Sequence, residues 1–364
     1  MLNNNYKRII VTGGSGFIGS CLIRKLLSKT NCYIFNLDKL SYSSNEIANS
    51  LHLNNLNPKS LSRYKLIKVD LCCKDKVQKI IEEISPDLIF HLAAESHVDR
   101  SIDNPNSFIS SNINGTFNLL EGVRNFYSKL QANKKKFFRF HHISTDEVFG
   151  SLGQEGEFNE GSQYSPRSPY SASKAASDHL VNAWHHTYQL PSIITNCSNN
   201  FGPWQFPEKL IPLTIYKAIN KEQIPLYGNG ENIRDWLFVE EHINALIIAA
   251  TKGKIGETYC IGGDNEMTNK ELVEKICRIL DVIKPTDISY EELITLVPDR
   301  PGHDFRYAIN SNKIQSHLGW TPKSNFESQL RNTINWYINN MNWCTEIMQN
   351  STYRASRLGL KNFT

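Results

Sequence analysis

Tyr170 and Lys174 stand four residues apart in SPYSASKA, at the start of a segment with helical patterning, so both side chains project from one helical face. A lysine ammonium beside a phenol favours the phenolate and draws its pKa down from about 10 toward neutrality. Tyr170 is therefore a candidate base. A bare Tyr-x-x-x-Lys pair also arises by chance, and alone it is more often structural. Upstream, Thr145-Asp146-Glu147 in HHISTDEVFG places two carboxyls beside a hydroxyl, directly after a predicted strand. The trio could be a helix cap, with Thr145 accepting from backbone amides. It could also supply the proton acceptor and proton donor that elimination of water requires.

Gly13, Gly14, Gly16 and Gly19 fall in TGGSGFIGS, after an apolar run and at the opening of a helical pattern. This spacing lets the backbone turn tightly, approach a pyrophosphate and set it against the positive end of a helix. The same glycines could also merely shape a strand-to-helix turn. Asp38 ends the next apolar run about 20 residues further on, where an acidic side chain hydrogen-bonds an adenosine ribose. NAD is favoured over NADP, because a 2′-phosphate beside Asp38 would meet like charge; Lys39 and Arg63 weaken that argument only in part. Asp70 and Leu92-Ala93-Ala94 end two further predicted strands, at the edge where such sheets bind ligands.

The elements that must position these residues follow from the apolar pattern. Strands are expected over Lys7 to Thr12, Cys32 to Asp38, Tyr64 to Asp70, Asp87 to Ala94, Phe137 to Ser144 and Ser192 to Cys197. Helices are expected over Phe17 to Ser28, Phe108 to Lys129 and Tyr170 to Tyr188. The fold class is α/β: a doubly wound parallel sheet of Rossmann type over residues 1–200, with some later segments returning to it. A smaller α/β substrate-binding domain over 201–364 follows, where Pro203, Pro207, Pro212 and Pro225 break the rhythm.

Composition narrows the function classes. With 40% hydrophobic and 21% charged residues among 364, the chain reads as an ordinary globular enzyme. The net charge of +4 is small and the lysines are scattered apart from Lys134 to Lys136, so no nucleic-acid partner is expected. Eight cysteines without a C-x-x-C pair imply no metal, and adjacent Cys72 and Cys73 read as thiols packed near a strand end rather than a strained disulfide. Neither an apolar leader nor a membrane-length apolar run is present, which points to the cytoplasm and reduced thiols.

Over nearly its whole length the sequence resembles the extended short-chain dehydrogenase/reductase family, and within it the nucleotide-sugar 4,6-dehydratases. The resemblance is carried by TGGSGFIGS, LDKLSY, HLAAESHVDRSI, FRFHHISTDEVFG, SPYSASKA, TNCSNNFGPWQFPEKLIPL, IRDWLFVEEH and DRPGHDFRYAI, in that order. It implies dTDP-glucose as substrate and tightly bound NAD, regenerated in each turnover. Tyr170, held by Lys174, would take the proton of the 4-hydroxyl as hydride leaves carbon 4, with Thr145 on the same oxygen. Glu147 would then remove the carbon 5 proton while Asp146 protonates the departing 6-hydroxyl, and hydride would return at carbon 6. The resemblance also implies cofactor contacts from Gly13, Gly16, Phe17, Ile18, Gly19, Asp38, Lys39, Leu40, Ser41, Asp70, Leu71, Leu92, Ala93, Ala94, Ser111 and Asn200. Nucleotide-sugar contacts are implied from Ser96, Asn199, Lys209, Leu210, Pro225, Tyr227, Arg234, Asn269, Asp299, Arg300 and His303. A diphosphate needs such cations, although Arg234 could instead bridge to Asp235 or Glu240. A homodimer packed through the Phe108 to Lys129 and Tyr170 to Tyr188 helices is implied as well.

Departures from the family pattern are Phe149 and Phe201 in place of the common Tyr, Ser41 for Thr, the run SYSSN, and the tail after Tyr353. Three other readings compete: a UDP-glucose 4,6-dehydratase, a UDP-glucose 4-epimerase, and a non-enzymatic NAD-binding regulator. An epimerase needs no acid–base pair at carbons 5 and 6, and a regulator has no need of both Tyr170 and Lys174.

Overall fold

The computed structural model describes residues 6–44, 50, 58–323 and 325–350. Asn45 of SYSSN and the tail beyond Tyr353 lie outside them. Twelve strands are described: β1 (Arg8–Thr12), β2 (Tyr33–Asp38), β3 (Tyr64–Lys68), β4 (Leu88–His91), β5 (Arg139–Thr145), β6 (Ser192–Cys197), β7 (Asn199–Phe201), β8 (Ile224–Tyr227), β9 (Ile233–Phe238), β10 (Thr258–Ile261), β11 (Glu266–Thr268) and β12 (Ile294–Val297). The helices that matter below are α1 (Phe17–Lys29), α2 (Lys74–Ile84), α3 (Val98–Asp103), α4 (Gly115–Ser128), α5 (Pro169–Tyr188), α6 (Leu210–Ile219), α7 (Val239–Lys252) and α8 (Asn269–Ile283).

Seven strands make one sheet in the order β10-β6-β5-β4-β1-β2-β3, with every pairing parallel. Their near-continuous apolar runs follow from burial on both faces. Along β1, Ile9 and Val11 join Leu22, Leu26, Ile243 and Leu246 of α1 and α7 on one side. Ile10, between them, joins Val77, Ile81, Leu119, Val123 and Val181 of α2, α4 and α5 on the other. The strand order reverses between β1 and β4, which opens a crevice at the carboxyl ends.

A second core lies beyond β6, built from Ile211 and Ile215 of α6, Ile224 and Leu226 of β8, Trp236 of β9, and Leu272, Ile276 and Leu280 of α8. Two small sheets, β11-β9-β7 and β12-β8, belong to it. The chain then returns, since β10 pairs with β6 from Thr258 opposite Ile194. Among the described residues no helix is long and apolar enough to cross a membrane.

Local differences from the sequence reading have physical causes. Instead of one helix over Phe108 to Lys129, a short turn at Pro105–Phe108 runs into a widened π-type turn at Ile109–Asn114 before α4 begins. The buried Asn112 side chain accepts from Glu95 N at 2.8 Å and donates to Glu95 O at 3.0 Å and Ser173 Oγ at 2.8 Å. These bonds tie the turn to the loop after β4 and to α5, and such bulges often serve a site. Strands β3 and β4 stop at Lys68 and His91, short of Asp70 and Ala94, because the chain there folds over the sheet edge. Cys72 and Cys73 are exposed and unpaired rather than packed, since they sit in the loop that opens α2.

Candidate active site

The crevice holds the glycine loop at its base. Gly13 has φ +68°, and a Cβ there would stand 2.7 Å from Ala93 Cα, so only glycine lets β1 turn this close to the end of β4. No side chain caps the amino end of α1 at Gly16. Gly13, Gly16, Phe17, Ile18 and Gly19 line the cleft together with Asp38, Lys39, Ser41, Asp70, Leu71, Leu92, Ala93, Ala94, Ser111 and Asn200. Asp38 is oriented from three sides: Oδ2 accepts from Ser15 N at 2.9 Å, while Oδ1 accepts from Leu40 N at 2.8 Å and Ser44 Oγ at 3.3 Å. Leu40 does not line the cleft; it adopts φ 60° so that its N–H can reach that carboxylate. Lys39 pairs with Glu95 at 2.6 Å, and Arg63 donates to the carbonyls of Leu27, Thr30 and Cys32 behind the sheet edge. Both cations have partners of their own, and Asp38 keeps its negative face toward the cleft.

Thr145 closes β5 and caps the turn Asp146–Phe149, its Oγ1 accepting from Glu147 N at 3.3 Å and donating to Asp146 Oδ1 at 3.2 Å. The cap is real and does not compete with chemistry, because it fixes both carboxyls at the cleft wall. Asp146 is 2% exposed and its Oδ2 has no hydrogen-bond partner in the protein. Burial first, then Glu147 and Asp235, push its carboxyl well above the usual range. The shift favours the protonated form, the form in which a carboxyl can act as an acid. Burial also raises Glu147, but Arg300, Arg234 and Lys209 pull the other way. Two adjacent carboxyls thus sit in environments that separate their roles.

Tyr170 and Lys174 share the buried face of α5, as their spacing requires, and both line the cleft. The expected lowering of the phenol is not what the structure gives. Burial, then Glu147 and Cys197, push Tyr170 well above its ordinary range, and only the hydrogen bond with Thr145 opposes them. The Lys174 ammonium donates to Ile143 O at 2.8 Å, so its charge is directed at β5.

Ser96, Asn199 and Lys209 complete the walls of the same cleft, with Lys209 Nζ donating to Ser96 O at 3.0 Å. Arg300 Nη1 and the Tyr227 hydroxyl donate to the two oxygens of Asp99, at 2.8 and 2.9 Å. Arg234 forms no bridge to Asp235 or Glu240 in this arrangement. Its guanidinium donates to the carbonyls of Ile233, Asp304 and Phe305 and lies 4.3 Å over the Tyr307 ring. His303 Nδ1 lies 2.6 Å from Asp299 Oδ1. Leu210, Pro225, Tyr227, Arg234, Asn269, Asp299, Arg300 and His303 do not line the cleft walls, although Arg234 and Arg300 act on the Glu147 carboxyl. Pro225 lies in β8 opposite Thr295, and the Asn269 N–H donates to Asn232 O at 2.9 Å.

Sequence reasoning passed over Asp99, Asp235 and Glu208. Asp99 stands in HLAAESHVDRSI, and its signal was a buried acid next to Arg100. Asp235 was considered only as a partner for Arg234, whereas it accepts from Gly263 N at 2.7 Å and Asn265 N at 2.8 Å. Glu208 accepts from Arg100 Nε at 3.0 Å and the Tyr42 hydroxyl at 2.9 Å. Phe149 and Phe201 prove to be core aromatics outside the cleft, packed on Phe158 at 5.2 Å and Phe326 at 5.3 Å.

The sequence model described as GDP-mannose 4,6 dehydratase matches residues 10–333. A dTDP-glucose 4,6-dehydratase of Neisseria meningitidis is 50% identical, covering 97% of this chain and 99% of its own. One of Escherichia coli is 51% identical with the same two coverages. The crystal structure of a dTDP-glucose 4,6-dehydratase from Streptomyces venezuelae, with NAD bound, superposes with a TM-score of 0.83 at 36% identity, over 93% of this chain and 99% of that one. With the glycine loop, the Tyr170–Lys174 helix and the Thr145-Asp146-Glu147 turn in one cleft, the chain belongs to the extended short-chain dehydrogenase/reductase family, in its nucleotide-sugar 4,6-dehydratase branch.

Proposed function

We propose that this chain converts dTDP-glucose to dTDP-4-keto-6-deoxyglucose and water, and that the observation carrying this reading is the buried Asp146 carboxyl beside Glu147, in one cleft with Tyr170 and Lys174. The glycine loop and Asp38 would hold NAD, and Lys174 would orient it. When bound, NAD supplies the acceptor of hydride from carbon 4, the donor of hydride to carbon 6 and a positive ring charge in the cleft. Tyr170 takes the proton of the 4-hydroxyl, with Thr145 hydrogen-bonded beside it. A ketone at carbon 4 acidifies the proton on carbon 5, which Glu147 removes and, after exchange with solvent, returns to carbon 5 once hydride has reached carbon 6. Asp146, whose burial favours the protonated form, gives its proton to the 6-hydroxyl as water departs. Lys209, on the cleft wall, would face the diphosphate, with Arg234 and Arg300 adding positive charge from behind it.

The acid–base turn disfavours a simple epimerase, and the intact Tyr170–Lys174 pair disfavours a regulator. Thymine and uracil differ by one methyl, worth about 1–3 kcal/mol in a fitted pocket. Turnover of dTDP-glucose should therefore exceed that of UDP-glucose by about tenfold in kcat/KM, and equal rates would reassign the nucleotide while leaving the chemistry intact. The reading also includes a homodimer through α4 and α5. Phe117 and Tyr188 on these helices are 39% and 44% exposed, and each lies edge-on to Trp184. Eight unpaired cysteines support a cytoplasmic setting.

A further inference from the structure

One turn beyond Lys174 on α5 lies Asp178, so Tyr170, Lys174 and Asp178 form one stripe at positions i, i+4 and i+8. Asp178 is completely buried. Its Oδ2 accepts from Ser144 Oγ at 2.7 Å, the Tyr164 hydroxyl at 2.9 Å and Asn196 Nδ2 at 3.3 Å, and its Oδ1 lies 3.0 Å from His142 Nε2. Asn196 Nδ2 also donates to Thr145 O at 3.0 Å. One carboxylate therefore ties α5 to the ends of β5 and β6, where the acid–base turn begins.

Two basic groups act on this carboxylate, His142 in contact and Lys174 one helical turn away. His142 is kept neutral by burial, with a pKa of about 4, and its ring lies tilted 5.1 Å from that of His91, which burial also keeps neutral. Burial pushes Tyr164 on the segment before α5, and Cys197 at the end of β6, upward, so both are uncharged. Lys174, one turn before Asp178 and also buried, has its ammonium on Ile143 O and makes no salt bridge with Asp178, so the two act on each other through space. Asp178 is the chief group opposing the loss of the Lys174 proton, while against its own burial His142 first and Lys174 second hold the Asp178 carboxyl down. An isolated buried ammonium or carboxylate is costly, whereas a mutual pair offsets that cost.

We propose that Asp178 is a positioning residue for the reaction, the buried counter-ion of Lys174 that also anchors, through Ser144 and Asn196, the strand end carrying Thr145 and Asp146. The inference rests on the reading above in which Tyr170 and Lys174 handle the 4-hydroxyl proton. Lys174 then acts through a charge that Asp178 maintains, and Tyr170 is tuned from two turns away without touching Asp178.

The test is a double-mutant cycle of Asp178→Asn and Lys174→Met, followed by thermal unfolding and by the pH dependence of kcat/KM for dTDP-glucose. Asp178→Asn keeps the shape but removes the counter-charge, so Lys174 loses its proton at lower pH and Tyr170 loses its neighbouring ammonium. The profile should narrow from both sides, its acid limb rising and its alkaline limb falling, with at least about a tenfold loss at neutral pH. Tyr164→Phe, which removes a hydrogen bond and no charge, should keep both limbs in place. Lys174→Met should lower Tm by stranding Asp178, and adding Asp178→Asn should raise it again. Native limbs in Asp178→Asn, or a double variant no more stable than Lys174→Met, would overturn the proposal. If Asp178→Asn does not fold alone, recovery of folding in the double variant supports the pairing and its failure refutes it. A native chain that leaves dTDP-glucose unchanged would sink the functional reading, while the Tm cycle would still decide the pairing.

Discussion

Glu147 and Asp146 are neighbours in sequence and differ in surroundings, and the proposed roles of base and acid rest on that difference. Asp146 has no cation in contact and a second buried acid, Asp235, near it; Glu147 faces Lys209, Arg234 and Arg300. Glu147→Gln should retain oxidation at carbon 4 and lose proton removal at carbon 5. With dTDP-glucose in deuterated water, the native protein should place deuterium at carbon 5 and Glu147→Gln should place at least about 100-fold less per unit time. Labelling at the native rate would return the turn to a purely capping role. Tyr170→Phe should abolish all steps, including any absorbance of reduced cofactor on mixing. The identities and spacing of these residues were legible in the sequence because a helical stripe and a strand-end turn are local features. Their proton affinities were not, since burial and the Glu147 charge raise Tyr170, and both depend on how β5 and α5 pack.

Elements place these groups, and the tightest placement is where β1 passes into α1. A methyl at Gly13 would meet the backbone of Ala93 at 2.7–2.8 Å, and φ +68° is itself unfavourable for alanine. Gly13→Ala should push β1 and β4 apart at the mouth. The native protein should purify with NAD bound, and Gly13→Ala should purify with at least about tenfold less, as measured on the supernatant after denaturation. Equal NAD content in both would show that this turn does not form the dinucleotide seat. The strands and α5 were readable from apolar runs and helical patterning, while the start of α5 at Pro169 is set by Ser168, which accepts from Ser171 N at 3.0 Å. The π-type turn was not readable, because Asn112 gains its partners Glu95 and Ser173 only in the assembled fold. That later segments return toward the first sheet is expected from the sequence, but β10 itself is not singled out there, since a four-residue strand gives little sign of which sheet it joins.

Across the whole molecule, buried histidines set the response to acid. His91, His97, His141, His142 and His242 are all held below the ordinary value by burial, His97 and His142 to about 4 and His141 and His242 to about 3. The unfolded chain protonates them near pH 6.5 and the folded chain does not, so each lowers stability by about 1.4 kcal/mol per pH unit as pH falls below about 6.5. Asp146, Glu147 and Asp235 are raised and work in the opposite direction, but they are fewer. Tm should fall steadily from pH 7 to pH 5 (about a unit either side of 6), and a flat Tm over that interval would mean the histidines are hydrated in solution. Asp99 joins the two lobes through Arg300 and Tyr227, a contact between distant parts of the chain that the motif HLAAESHVDRSI could not disclose. One measurement tests directly what the cleft does. The purified protein is given dTDP-glucose carrying deuterium at carbon 4, and the product is analysed by mass spectrometry and proton NMR. The account predicts a product lighter by one water with the deuterium moved to carbon 6; an isomer of unchanged mass, or loss of water with the label released to solvent, would contradict it.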